Sequence, residues 1–124
     1  MKLSVIICAY NERQTILDAI HQAHAVGLGA GWDKEVIVVD NFSTDGTREL
    51  LQSVDLPHVR AVFHPRNLGK SASILTGIAE ARGDYKVSLR RRDDRPLKVD
   101  TVEKMTGHTD TGWVQVGNWV EVDI

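Results

Sequence analysis

Polar and aromatic side chains follow directly after two apolar runs of this sequence, and their chemistry is typical of a binding site. Tyr10 and Glu12 come after the run 3–9, and Asp40 comes after the run 36–39. An aromatic ring stacks on flat ligands, and a buried carboxylate is a strong acceptor for N–H and O–H groups. Helix capping also explains an aspartate or asparagine in such loops, so the surrounding elements matter.

Further candidates lie in later loops, where aspartate, asparagine, glycine and lysine recur. They are Asp45, Asn67, Gly69, Lys70 and Asp93. No glycine fingerprint for a dinucleotide follows the first apolar run, and the sequence has neither a Walker loop nor a nucleophile elbow. The histidines lack the close spacing of metal ligands. A classical dehydrogenase or a phosphate-loop enzyme is therefore not expected.

Short apolar runs rich in β-branched residues predict the strands that position these candidates. They span residues 3–9, 36–39, 59–63, 85–89 and 113–116, and Val120 and Val122 prolong the last run. A run that is apolar throughout, rather than alternating with polar residues, indicates a strand buried on both faces, as in a parallel sheet.

Apolar residues recur at helical spacing between these runs. The first predicted helix has Asn11 as its cap and carries Ile16, Leu17, Ile20 and His24. The second carries Leu50, Leu51 and Val54 and ends at Pro57, and the third has Ile74, Leu75 and Ile78 on one face. A fourth begins at Asp100 and ends at Gly107.

The alternation of strands and helices predicts an α/β fold, with a mostly parallel sheet and helices on both faces. In such a sheet the loops that follow the strands lie on one edge, which is the edge where α/β proteins bind their ligands. The candidate residues are therefore expected to converge there, whereas Asp45, Gly46 and Gly69 can also be explained by a helix cap and by turns.

Composition predicts a single domain over residues 1–124, soluble and cytoplasmic. The chain has a formal net charge of -2 and one cysteine, and it has no apolar run long enough to span a bilayer. These features give no reason to expect nucleic acid as a partner, and they exclude an internal disulfide.

Four segments, in this order and spacing, resemble family 2 glycosyltransferases, and among them most closely the polyprenyl-phosphate sugar synthases. They are 3–12 (LSVIICAYNE), 36–47 (VIVVDNFSTDGT), 66–70 (RNLGK) and 81–85 (ARGDY). The resemblance implies a GT-A fold, which is the Rossmann-like fold of nucleotide-diphospho-sugar transferases. It also implies a UDP- or GDP-type sugar donor, a divalent metal (Mg²⁺ or Mn²⁺), and inversion during transfer to a hydroxyl or a polyprenyl phosphate.

The resemblance also implies roles for single residues. Tyr10 packs on the base, Glu12 bonds the nucleoside, and Asp40 accepts a hydrogen bond from the base or ribose. The loop 67–70 lies beside the donor. The nucleotide-sugar site implied in this way comprises Cys8, Ala9, Tyr10, Glu12, Asp40, Asn67, Gly69 and Lys70.

The sequence departs from the family pattern at several positions. Cys8 stands where proline is usual, and Asn41 stands where a second aspartate is common. After the fourth strand the family has two aspartates that hold the metal on the donor's diphosphate. Here residues 90–92 are all arginine, and Asp93 is the one candidate metal ligand that a shifted alignment retains.

Arginine at a metal position opposes the cation by ~4 kcal/mol per charge pair at 4 Å in a protein-surface dielectric. Ordinary metal binding is therefore not expected. The arginines either clamp the diphosphate directly through bidentate hydrogen bonds or form a solvated charged loop.

The family's later segment, with its acceptor site and catalytic base, has no counterpart in the sequence. We therefore expect the N-terminal, truncated portion of a family 2 domain, with its catalytic residues unknown. The alternative is a non-catalytic nucleotide-binding module completed by a partner chain. An unrelated receiver or flavodoxin-type domain fits less well, because a receiver's paired carboxylates and lysine are not found. An uncovered sheet edge predicts a homodimer.

Overall fold

The computed structural model describes residues 1–25, 30–90, 114–116 and 119–123. Strands and helices alternate over most of this part of the chain, as predicted. In chain order they are β1 (Lys2–Ala9), α1 (Ile16–Ala25), β2 (Asp33–Asp40), α2 (Thr47–Gln52), β3 (Val59–Phe63), α3 (Lys70–Glu80), β4 (Tyr85–Arg90), β5 (Val114–Val116) and β6 (Trp119–Asp123). None of these helices is long and apolar enough to cross a bilayer.

The described strands form one sheet in the order β3-β2-β1-β4-β6-β5. All neighbours are parallel except β5 and β6, which are antiparallel. The α/β class and the mostly parallel sheet are therefore confirmed. The chain moves outward from β1 through β2 to β3 and then returns to the other side of β1 with β4. Open α/β sheets bind ligands at such a reversal, beyond the carboxyl ends of the strands.

The predicted continuation of the fifth strand through Val120 and Val122 is wrong. β5 and β6 fold back on each other, with Val116 paired with Trp119, and β6 is the strand that pairs with β4. The sequence between them, residues 117–118, is Gly-Asn. This dipeptide favours a reversal of the chain over a continuous strand, which explains the difference.

Alternate side chains of the central strands cover the two faces of the sheet. On one face they pack against α1 and α2 in a core of Leu3, Val5, Ile7, Ala9, Ile16, Ile20, Ala23, Val36, Val38, Leu51 and Val87. The other face carries Ile6, Ile37 and Val39, which are fully buried. α3 packs on this second face, where Gly77 lies against Ile6.

α3 meets the sheet through small residues, whereas the sequence predicted an apolar face that included Leu75. Leu75 is 66% exposed, and the buried residues of α3 are Ser73 and Gly77. A Cβ at position 77 would lie 2.3 Å from Ile6 Cγ2, so a side chain there would push the helix away from β1. The prediction for Leu75 is therefore wrong, because close helix packing selects for size rather than hydropathy.

The predicted ends of the first two helices also differ from the structure. α1 begins at Ile16, so Asn11 does not cap it. α2 ends at Gln52, five residues before Pro57, so the proline does not end it. The Ser53 hydroxyl donates to a carbonyl of the last turn instead, which satisfies that end of the helix.

β3 and β5 are the outer strands of the sheet within the described residues. The homodimer predicted from an uncovered edge stays a prediction. The helix predicted over 100–107 and the candidate metal ligand Asp93 lie outside the described residues.

Candidate functional site

The carboxyl ends of β1, β2 and β3 lie side by side at one edge of the sheet. Ala9 pairs with Asp40, and Asp40 pairs with Phe63. The pairing continues into the loops, since the Asn41 amide donates to the Ala9 carbonyl at 2.9 Å. The His64 amide likewise donates to the Asp40 carbonyl at 2.9 Å. The loops that follow the three strands therefore converge at one edge, as predicted.

The loops after β1 and β2 are joined by hydrogen bonds that we call the loop clamp. Three consecutive amides of the first loop donate to side chains of the second, and one side chain of the first loop accepts from the second loop's backbone. The bonds are Asn11 N–H to Ser43 Oγ at 2.9 Å, Glu12 N–H to Thr47 Oγ1 at 3.0 Å, Arg13 N–H to Asp45 Oδ2 at 3.3 Å and Thr44 N–H to Asn11 Oδ1 at 2.8 Å. The loop clamp fixes the loop that carries Tyr10.

Asp45 lies one residue before the cap position of α2. Gly46 is the cap residue and has a φ of 102°. Asp45 Oδ1 accepts from the Thr47 amide at 3.0 Å and from the Thr47 hydroxyl at 2.5 Å. These bonds hold the pKa of Asp45 below its ordinary value, with the hydroxyl making the largest contribution. Asp45 thus accepts a hydrogen bond from the first amide of the helix, although it lies one residue before the cap residue.

Asp40 is completely buried, with 0% of its surface exposed. Its Oδ1 accepts from the Ser43 hydroxyl at 2.6 Å, and its Oδ2 accepts from the Ser43 amide at 3.2 Å. The same hydroxyl accepts from the Asn11 amide, so Asp40 is connected to the loop clamp through Ser43. The buried carboxylate presents no surface to a base or ribose in this structure, and the contact of Asp40 with a donor stays a prediction.

The Asn41 side chain connects the loop after β2 with the loop after β3. Its Nδ2 donates to Asn67 Oδ1 at 2.9 Å. Its Oδ1 accepts from the Leu68 amide at 2.9 Å and lies 3.0 Å from His64 Nδ1. A carboxylate at this position could accept the same bonds but could not donate to Asn67. Asn41 is therefore suited to hold the two loops together.

His64 is buried beneath the third loop, and the sequence reasoning missed it. The side chain is 4% exposed, and its Nε2 lies 2.8 Å from Thr76 Oγ1 of α3. Because the Leu68 amide orients Asn41 Oδ1 as an acceptor, His64 Nδ1 is assigned the proton. The one sequence signal for His64 was its position directly after a strand at the predicted binding edge.

Gly69 and Lys70 form the start of α3 at the same edge. Gly69 is the cap residue with a φ of 89°, and its amide donates to Asn67 Oδ1 at 2.9 Å. Lys70 is the first helical residue, and its side chain is exposed. The prediction that Gly69 occupies a turn with positive φ is confirmed, and the hydrogen bond to Asn67 holds this glycine in place.

Comparison with known proteins identifies the family. The family model for glycosyl transferase family 2 matches residues 4–91. The chain belongs to glycosyl transferase family 2. Its parallel sheet and flanking helices are those of the GT-A fold that the family resemblance implied.

Two relatives of this chain share one name. An undecaprenyl-phosphate 4-deoxy-4-formamido-L-arabinose transferase of Pseudomonas aeruginosa (strain LESB58) is 37% identical over 90 residues, which are 70% of this chain and 26% of that protein. A protein of the same name from Salmonella paratyphi A (strain ATCC 9150 / SARB42) is 29% identical over 122 residues, which are 94% of this chain and 36% of that protein. The chain thus spans about a quarter to about a third of the length of these relatives.

The residues of the predicted nucleotide-sugar site differ in how far they reach the surface of this family 2 domain. Tyr10, Asn67, Gly69 and Lys70 are exposed, Cys8 and Glu12 are half-buried, and Ala9 and Asp40 are buried. The exposed members belong to the loops after β1 and β3. The buried members, Ala9 and Asp40, are the last residues of β1 and β2, so they support the loops that follow these strands.

The described residues contain no group of three or more histidine, cysteine, aspartate and glutamate side chains placed to hold a metal ion. Of the segment where the family has its metal ligands, only Arg90 falls within a described strand. Asp93 follows outside the described residues, and its role as a metal ligand stays a prediction.

A second buried carboxylate, Glu35, lies towards the opposite ends of the strands, near the starts of β1 and β2. Its Oε2 accepts from the Ser4 hydroxyl at 2.6 Å and the Arg82 amide at 2.7 Å. Arg60 Nη2 lies 3.7 Å from Oε1. Burial by itself raises the pKa of Glu35, but these hydrogen bonds and the charges of Lys2 and Arg60 together lower it below its ordinary value. Glu35 is a structural tie, remote from the loops of the site.

Proposed function

We propose that this domain binds the nucleotide-diphospho-sugar donor of a glycosyl transfer to a polyprenyl phosphate. The observation that supports this most is the single edge at which the loops after β1, β2 and β3 are joined by side-chain hydrogen bonds. Membership of glycosyl transferase family 2 gives the class of reaction. Relatives whose name includes undecaprenyl phosphate point to the acceptor class.

In this proposal the exposed ring of Tyr10 stacks on the base, and Glu12 bonds the nucleoside. The loop clamp holds both residues in place before the donor arrives, which lowers the entropy cost of binding. Asp40 supports this loop through Ser43 and becomes a direct ligand only if the surrounding residues expose its carboxylate. Lys70 places a positive charge beside the diphosphate.

The acceptor oxygen would form a bond to the anomeric carbon while the nucleoside diphosphate leaves from the opposite face, which inverts that carbon. A phosphate monoester has a second pKa of about 6, so it is largely ionised at neutral pH. It therefore attacks without first losing a proton, whereas a hydroxyl acceptor requires a general base. Transfer to a polyprenyl phosphate therefore does not require the protein to supply a general base, whereas transfer to a hydroxyl does.

The residues at the family's metal position do not fit a divalent cation well. Residues 90–92 are all arginine, and a guanidinium repels a metal ion. The proposed reaction therefore contains no metal-dependent step. The diphosphate charge is assigned to cationic side chains, and Lys70 is a candidate among the described residues.

The same arginines favour a second candidate function, a non-catalytic module that binds the nucleotide and is completed by a partner chain. Cationic side chains can hold a diphosphate in the ground state without a metal to stabilise it as a leaving group. Such a module would bind nucleotide but would not turn a sugar donor over.

The test is calorimetric titration of the chain with UDP and with GDP, each with and without Mn²⁺. We expect one of the two nucleotides to bind, and Tyr10→Ala to weaken that binding about tenfold through the loss of stacking. Leu75→Ala is the control, because Leu75 is exposed on α3 away from the strand ends. No binding of either nucleotide would contradict the proposal.

Turnover separates the two candidate functions. The sugar nucleotide whose base binds best is incubated with the chain and undecaprenyl phosphate, and the release of nucleoside diphosphate is measured. Release that depends on the lipid phosphate supports transfer. Tight binding that does not require Mn²⁺ and produces no release supports the non-catalytic module.

A further inference from the structure

Phe42 has a backbone conformation that a bulky residue rarely adopts. Its φ is 68°, in the left-handed region. Among the described residues, the others with positive φ that are not glycine are Asn11 and His58. Asparagine and histidine enter this region more readily than other side chains, and a large aromatic residue there is an outlier that requires an explanation.

The residues on both sides of Phe42 hold it in this conformation. The Asn41 amide donates to the Ala9 carbonyl at 2.9 Å. The Ser43 amide and hydroxyl both donate to the buried Asp40 carboxylate. The backbone path from 40 to 43 is therefore fixed, and residue 42 takes a positive φ whatever its side chain. Glycine would meet this requirement without strain.

Packing in the core does not explain the choice of phenylalanine. The residue is 41% exposed. It belongs neither to the buried core cluster nor to the partly buried apolar residues that pack against that cluster, although Phe63 does. A side chain at this position brings backbone strain, and the ring of Phe42 adds a partly exposed apolar surface. Core burial compensates for neither.

The position of Phe42 beside Tyr10 offers an explanation. Tyr10 lies between Ala9 and Asn11, and each of these is hydrogen-bonded to a neighbour of Phe42. Segments 9–11 and 41–43 are thus joined at both ends, with one aromatic residue in the middle of each. Tyr10 is 47% exposed, so both rings present surface at the binding edge of the sheet.

We propose that Phe42 is a donor-binding residue whose ring supplies, with Tyr10, a second aromatic surface for the base of the nucleotide. This inference rests on the proposed function and extends it to a residue that the sequence pattern did not indicate. Base–aromatic stacking tolerates every base, because each base has a π-face. Phe42 therefore adds affinity for UDP and GDP alike, and the choice between them lies with hydrogen-bonding groups.

The test compares Phe42→Gly, Phe42→Leu and Phe42→Tyr by calorimetry with UDP and GDP and by thermal unfolding. Phe42→Gly removes both the ring and the strain, so we expect about tenfold weaker binding together with an unchanged or higher melting temperature. Phe42→Leu keeps an apolar side chain and the strain, and it should also lose affinity. Phe42→Tyr keeps the ring and should bind as the unaltered chain does.

The two readouts separate a ligand contact from a structural role. A lower melting temperature for Phe42→Gly with unchanged nucleotide affinity would show that the ring only supports the fold, which overturns the inference. Retained affinity in Phe42→Gly alongside weakened binding in Tyr10→Ala would overturn this inference and leave the proposed function standing. If the unaltered chain binds neither UDP nor GDP, both proposals fall.

Discussion

Two buried carboxylates lie at opposite ends of β2, and their surroundings differ. Glu35 accepts hydrogen bonds from Ser4 and Arg82 and has the cation of Arg60 beside it. Asp40 accepts its hydrogen bonds from Ser43, and within the described residues no cation forms an ion pair with it. The same strand thus carries one acid with its own counter-ion and one acid bonded only to a loop.

We therefore expect Glu35 to contribute to stability alone and Asp40 to contribute to both stability and nucleotide binding. Glu35 has partners on several elements of the scaffold, so its loss should weaken the whole sheet and leave the loops of the site unaffected. Asp40 contacts the scaffold on one side and the loop clamp on the other. Changes around Asp40 should therefore alter nucleotide binding as well as stability. The following changes test this contrast, from the largest expected effect to the smallest.

Glu35→Gln should give the largest loss of stability, about 2–3 kcal/mol, because bonds to a charged acceptor are replaced by weaker ones. The lowered pKa of Glu35 means that the unfolded chain takes up the proton more readily than the folded one. The stabilising contribution is thus complete above the ordinary value of 4.5 and is lost as the pH falls below it. Urea unfolding from pH 7 to pH 3 measures this.

The difference between the unaltered chain and Glu35→Gln should accordingly shrink as the solution becomes more acidic. Nucleotide affinity at pH 7 should be unchanged, because the side chain is remote from the loops. A difference in stability that stays constant across this pH range would contradict the assignment of Glu35 as a charged structural tie.

Ser43→Ala should cost about 2 kcal/mol, because it leaves both the buried Asp40 carboxylate and the Asn11 amide without the shared hydroxyl. It should also weaken nucleotide binding, since the loop that carries Tyr10 loses one bond of the loop clamp. The matched control is Ser53→Ala, which removes an exposed hydroxyl bond at the end of α2. Equal effects of the two substitutions on affinity would argue against a link between Asp40 and the site.

Asn41→Asp should have the smallest effect on stability, about 1 kcal/mol. The carboxylate still accepts from Leu68 and His64, but it faces Asn67 Oδ1 without a proton to donate. We expect the loop 64–70 to loosen and nucleotide affinity to fall severalfold, measured by calorimetry and by urea unfolding. Affinity equal to that of the unaltered chain would show that this loop does not contribute to binding.

The fold was predictable from sequence because buried parallel strands are marked by continuous β-branched runs. The third strand has the predicted bounds, Val59–Phe63. The convergence of Tyr10, Asp40 and Asn67 at one edge followed from topology alone. The position of α3 did not follow, because Gly77 contributes nothing to an apolar pattern although it faces the sheet most closely.

The hydrogen bonds that hold the loops of the site were harder to predict than the location of the site. The sequence does not indicate that His64 and Ser43 have buried, hydrogen-bonded roles, since histidine and serine occur at many surface positions. Their significance depends on which groups the loops bring within 3 Å, and this is decided by loop conformation rather than by residue type. The left-handed conformation of Phe42 likewise follows from hydrogen bonds of its neighbours.

The loop clamp has a consequence for how this site can change during evolution. Three consecutive amides of the first loop are held by the side chains of Ser43, Asp45 and Thr47 instead of by backbone carbonyls. A single substitution in the second loop can therefore shift the aromatic ring on the first loop while the sheet beneath stays unaltered. Under the proposed function, affinity for the nucleotide can therefore change through residues that do not contact it, and variation at these three positions among natural sequences should accompany differences in nucleotide affinity.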